Sequence, residues 1–90
     1  MPLLIVVESG FKSDWKHLQK KRYPYDEMEA VIKLLEYQQP LPGRYKDHQL
    51  SGNWKGFREC HIKSNWLLIY RIVESSLVLV RTGTHDDLFK

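Results

Sequence analysis

The period of the apolar positions changes along this chain, and each change marks an element. Leu3 to Val7 is an unbroken, β-branched apolar run closed by Ser9-Gly10, which predicts a short buried strand. Phe11, Trp15 and Leu18 then recur at helical spacing among basic residues, so an amphipathic helix runs to about Lys21. Tyr23-Pro24 stops it, because proline cannot continue a helix's hydrogen bonding. Met28, Val31, Ile32 and Leu35 carry a second helical stripe, and Asp26 with Glu29 has the spacing of a capping box at its start. The two helices form a hairpin.

The stretch QQPLPGRYKDHQLSGNWKG has no period and is punctuated by proline and glycine, which makes it a long loop for so small a chain. Loops of that length in compact domains often carry function. Beyond it, runs at about 57–63, 66–73 and 77–82 read as strands, separated by Ser64-Asn65 and by Glu74-Ser75-Ser76. Connections this short join antiparallel neighbours. The order is β-α-α-β-β-β, an α+β fold in which the helical hairpin packs on one face of a mostly antiparallel, four-stranded sheet. Residues 1–90 read as one domain.

A strand's period of two divides its side chains between faces. On the first hairpin strand Arg58, Cys60 and Ile62 share one side, and Phe57, Glu59, His61 and Lys63 the other. If Cys60, Ile62, Val78 and Val80 lie under the helices, His61 and Arg81 emerge together on the open face. The middle strand is apolar on both sides, so its facing is left open.

Composition adds two constraints. With 42% hydrophobic and 12% aromatic residues, the chain has enough apolar surface for one modest core and does not resemble a disordered segment. Its net charge of +3 is unevenly spread. Asp26, Glu27, Glu29 and Glu36 face only Lys33 along the second helix, whereas Arg44, Lys46, Lys55, Arg58, Lys63, Arg71 and Arg81 dominate the rest. Such clustering fits a polyanionic partner. A second basic block, Lys12 to Arg22, reads either as part of that surface or as a solvated helix face. One cysteine, Cys60, gives no internal disulfide and fits a reducing cytoplasm. MPLLIVVESG has neither a basic leader nor a cleavage site, and no apolar run approaches the ~20 residues of a membrane span.

Candidate chemistry lies in the C-terminal half, where His48, His61 and His85 sit among basic residues; His17, in the first helix, reads as solvent-facing. Histidine titrates near neutrality and is the usual proton carrier at cellular pH. No C-x-x-C, H-E-x-x-H, Walker loop, G-x-G-x-x-G or G-x-S-x-G is present, so neither metal, nucleotide nor hydrolase motifs are indicated, and no cofactor is expected. Acid–base chemistry on an anionic substrate remains.

YKDHQLSGNWKGFRECHI at 45–62, NWLLIYRI at 65–72 and the terminal RTGTHDDLF together resemble the YafQ-type branch of the RelE toxin superfamily, bacterial toxin-antitoxin endoribonucleases. The resemblance covers residues 40–90 in motif and the N-terminal half in architecture. It implies ribosome-dependent, metal-independent cleavage of mRNA in the A site, a cognate antitoxin that wraps the toxin, and operator DNA bound only through that complex. Residue by residue, it places His48, His61 and His85 as the catalytic histidines and Arg81 at the scissile phosphate. Trp66 and Phe89 become the aromatics beside the substrate, with Lys46, Lys55 and Lys63 along its path. Where the family has an aspartate, this chain has Asn65, whose amide can hydrogen-bond RNA or orient a histidine but cannot take a proton. On this reading Arg81 clamps the phosphoryl group, His48 or His61 is the base and His85 the acid. Gly83 allows the tight turn after the last strand, and Thr84 with Asp87 caps a short helix that begins at His85. The alternative class is a binding module of the same fold, either a ParE-like gyrase inhibitor or a degenerate toxin that only binds antitoxin and operator; the retained histidines argue against it.

Overall fold

In the computed structural model, which describes residues 1–89, the opening apolar run forms β1 (Leu4–Val7). It is an edge strand, paired in parallel with β5 (Ser76–Gly83), and Leu4, Ile5 and Val6 are exposed. The expected buried strand is therefore corrected: pairing on one side only leaves β1 open to solvent, and the buried side chain of the run is Leu3. Two helices follow, α1 (Ser9–Lys20) and α2 (Tyr25–Glu36). The stripe Met28, Val31, Ile32 and Leu35 is buried as the periodicity requires. Asp26 and Glu29 do not form the expected capping box, because Pro24 takes the N-cap position with no side-chain bond and the helix begins one residue before Asp26. Asp26 and Glu27 instead lie in the first turn, where a carboxylate meets the positive end of the helix dipole.

The long loop is organised by single helical turns at Gly43–Tyr45 and Gly52–Trp54, with the two-residue β2 (His48–Gln49) between them. β3 (Arg58–Lys63), β4 (Trp66–Val73) and β5 form an antiparallel meander, giving the sheet order β1-β5-β4-β3-β2. The α+β class stands as expected, with five strands in place of four because β2 is too short to show a period. A last helix, α3 (His85–Phe89), follows β5.

Both faces of the sheet are buried. Under α1 and α2 lie Cys60, Ile62, Leu68, Tyr70, Leu77 and Leu79 with the helical stripes. On the other face Leu67, Ile69, Val78, Val80 and Leu88 form a second cluster, covered by Leu50, Trp54, Phe57 and Phe89 of the loop and α3. Val78 and Val80 thus pack away from the helices, opposite to expectation, while Leu77 and Leu79 take the helical side. A strand that is apolar on both faces gives no signal for choosing between them. Two irregularities shift the faces further: the register slips between His61 and Lys63, and again at Val80, opposite Ile69 and Tyr70. Each extra residue moves the side chains that follow to the other face.

Candidate active site

Period two and one cross-strand pair assemble the centre of the site. Glu59 and His61 are two apart on β3 and share a face, and His48 on β2 stands directly opposite Glu59 in the antiparallel register. One carboxylate oxygen, Glu59 Oε1, consequently faces His48 Nε2 at 3.4 Å and His61 Nε2 at 3.5 Å. The Glu59 side chain is only 6% exposed, against 48% for His48 and 24% for His61. A buried carboxylate between two more accessible imidazoles can orient both rings and stabilise a proton on either.

The loop that delivers His48 is fixed by its neighbour. Asp47 Oδ2 accepts from Arg58 Nη2 at 3.0 Å, and Asp47 Oδ1 accepts from Tyr70 Oη at 2.5 Å and from Arg58 Nε at 3.3 Å. Burial, then the bond to Asp47, pushes the Tyr70 phenol well above its ordinary value; the same carboxylate raises the Arg58 guanidinium. Both groups therefore keep their protons and the tie persists at neutral pH. His48 Nδ1 lies 2.7 Å from the Lys46 carbonyl. A carbonyl only accepts, so Nδ1 carries hydrogen and Nε2 is the nitrogen presented to Glu59. Lys46 offers that carbonyl from a left-handed backbone, at φ 49°. Cys60 lies in the helical core, where burial raises its thiol far above the usual range and keeps it unreactive.

His85 opens α3, whose expected cap is present: Asp87 N donates to Thr84 Oγ1 at 3.2 Å, and Thr84 N donates to Asp87 Oδ2 at 3.3 Å. Thr84 holds the Asp87 carboxyl below its usual range, its backbone N–H contributing most and its side-chain hydroxyl next. Gly83 makes the turn at φ 157°, a backbone conformation that side chains rarely adopt, although a Cβ there would meet Asp87 and Leu88 only in ordinary contact. Asn65 Oδ1 accepts from His85 N at 3.2 Å, so the β3–β4 turn anchors the first residue of α3. The His85 ring stands 5.0 Å from Phe89, and Phe89 stands 5.9 Å edge-on from Trp54. An aromatic chain thus joins α3 to the loop beside His48. Trp54 and Glu59 are not among the site residues read from the sequence, although the quoted stretch 45–62 contains both.

Other residues stand elsewhere than expected. Arg81 does not join His61 on an open face: its Nε and Nη2 donate to Asp14 of α1 at 2.6 and 3.0 Å, and Thr82 N donates to the same carboxylate at 3.1 Å. The cavity it lines, with Ser13, His17 and Asp87, contains none of His48, His61 and His85. Gly10 gives the Arg81 stem a close passage, since a Cβ there would stand 3.0 Å from Arg81 Cδ and push it aside by a few tenths of an ångström. Trp66 is 2% exposed, stacked on Trp15 at 6.3 Å and donating from Nε1 to Thr82 Oγ1 at 2.9 Å. It is a core residue of the helical side, and only an edge of it lines the cavity beside Tyr23 and Asn65. The slip after His61 sends Lys63 toward α2, where Nζ lies 3.4 Å from Glu27. Lys63 nonetheless shares a cavity of about 320 Å³ with Arg44, Lys46 and His61. Lys55 is exposed just past the second loop turn.

Comparison with known proteins decides the family. The description "Bacterial toxin of type II toxin-antitoxin system, YafQ" fits residues 3–90. The chain belongs to the YafQ toxin family. The mRNA interferase toxin YafQ of Escherichia coli is 40% identical over 80 residues, 88% of this chain and 87% of that protein. YafQ in the crystallised Escherichia coli DinJ–YafQ toxin-antitoxin complex matches with a TM-score of 0.91 at 36% identity, over 100% of both chains. A metal-bound toxin from Helicobacter pylori matches at 0.91 and 43% identity, over 97% of this chain and 99% of that one. In this YafQ-family chain, no group of three or more His, Cys, Asp or Glu among the described residues is arranged to hold a metal ion. No helix among those residues is long and apolar enough to cross a membrane.

Proposed function

We propose that this YafQ-family toxin is an mRNA interferase that cuts messages in the ribosomal A site of the bacterial cytoplasm and is silenced by a cognate antitoxin, with operator DNA engaged only through the antitoxin complex. The observation that carries this reading is the buried Glu59 carboxylate set between His48 Nε2 and His61 Nε2, beside a cavity lined by Arg44, Lys46 and Lys63. RNA cleavage of this kind needs the ribose 2'-OH to attack the adjacent phosphorus, a base to take its proton, an acid to protonate the leaving 5' oxygen, and cations for the charge that accumulates. His48 or His61 serves as the base. Glu59 holds the imidazolium that results, as a positioning residue. His85 is the acid, placed by Asn65 and by its contact with Phe89. The clamp that the resemblance assigns to Arg81 requires its pair with Asp14 to open and the guanidinium to swing out of the cavity it shares with His17, while Lys46, Lys55 and Lys63 attract the strand. The ribosome supplies the alignment that a site this open lacks.

Expression without antitoxin tests the role of Glu59. The wild type is expected to arrest growth, and Glu59→Gln, which keeps the shape and removes the charge, to be tolerated at equal soluble level. Equal arrest by both proteins removes Glu59 from proton handling. Tolerance of the wild type would point instead to a toxin-fold module that only binds.

A further inference from the structure

We infer that the groove between the α1–α2 turn and the β3–β4 turn is a binding track for the sugar–phosphate backbone of single-stranded message next to the cut, an inference that rests on the histidine site proposed above. Two cavities form it. One, of about 420 Å³, is lined by Arg22, Tyr23, Pro24, Lys63, Ser64, Asn65 and Trp66. The other, of about 320 Å³, carries Arg44, Lys46 and His61 and shares Lys63 and Ser64 with the first. Each is within the range of ordinary ligand pockets, ~300–1,000 Å³. The shared wall makes them one path, and His61 places its inner end at the catalytic histidines.

Charge selects the occupant. No acidic residue lines either cavity, whereas four Lys or Arg residues do. The one acid that reaches the path, Glu27, meets Lys63 at 3.4 Å with both side chains about half exposed, a pairing that phosphate can replace at little cost. Two of these cations sit at left-handed backbone positions. Arg22 closes α1 at φ 62°, a left-handed position where Arg22 N bonds Gln19 O and Tyr23 N bonds Leu18 O. Glycine is the residue that fits there without strain. Lys46, at φ 49°, is the second left-handed cation, so each cavity holds one basic residue at a backbone position that local energetics disfavours. Gln38 and Glu74 take the same conformation outside the groove, so it is the charge of the lining that selects the occupant.

Binding of a short, fully 2'-O-methylated single-stranded oligonucleotide, followed across a salt series, tests this. Arg22→Gly relieves the strain, so the variant is expected to be at least as stable as the wild type to urea. It and Lys63→Ala are each expected to lose affinity several-fold and to flatten the salt dependence by about 0.7 in log–log slope per phosphate contact removed. Lys33→Ala, outside both cavities, is expected to bind as the wild type does. Unchanged affinity and slope in both groove variants would overturn the inference, as would a loss of binding to an acidic peptide in place of the oligonucleotide. The oligonucleotide cannot be cut, so its binding is read apart from cleavage. A wild type that fails to cleave messages on ribosomes while showing these binding losses would sink the interferase reading and leave the groove standing.

Discussion

At the scale of single residues, position relative to a strand's period decides what a side chain can do. Glu59 becomes the centre of the histidine cluster because it lies two residues from His61 and opposite His48. The sequence showed the first relation but not the second, since two residues of β2 carry no pattern. Trp66 shows the reverse. Its motif suggested an aromatic beside the substrate, yet its ring fills the helical core and its indole N–H is spent on Thr82 Oγ1, which in turn donates to the Leu67 carbonyl at 2.8 Å. Trp66→Phe is therefore expected to lower stability by about 1–2 kcal/mol, from a buried hydrogen bond and lost packing, with kcat and KM for message cleavage unchanged. Urea melts and the cleavage assay read the two effects separately. A raised KM at unaltered stability would return Trp66 to the substrate.

At the scale of elements, α3 cannot stand alone, because five residues are far too few for an isolated helix in water. It is held by the reciprocal Thr84–Asp87 cap, by Asn65 and by burial of Leu88. Asp87 has its folded pKa depressed, so its contribution is fully present above the unfolded value of ~3.9 and is lost as pH falls through the lower folded value. The cap is thus intact at neutral pH. Asp87→Asn is expected to speed amide exchange at Thr84 and His85 at pH 7 and to slow cleavage; unaltered exchange would show that Asn65 and Leu88 suffice. The cap and the ends of β3, β4 and β5 were legible in the sequence, since turn residues and period two are local signals. Two further features were not. The slips after His61 and at Val80 redirect Lys63 and shift the faces of β5, and the Arg81–Asp14 pair joins residues 67 apart in sequence. Both depend on how elements meet, which no window of sequence contains.

At the scale of the whole molecule, a sheet buried on both faces turns loop and terminus into parts of one site. The apolar cluster under Trp54, Phe57 and Phe89 fastens the long loop and α3 to the sheet, so that His48, His61 and His85 belong to a single covered face while cations line the adjoining groove. Fold class and three of the histidine positions could be read in advance because alternation and family motifs agreed; the carboxylate between two of them emerged only with the register. The most direct test of the interferase reading is primer extension on a defined message programmed into ribosomes, with the wild type beside His85→Gln. The wild type is expected to give a discrete A-site cut, and His85→Gln to slow it by about 10²–10⁴-fold, the range of a lost general acid. Equal rates for the two proteins, or no cut by the wild type, would contradict it.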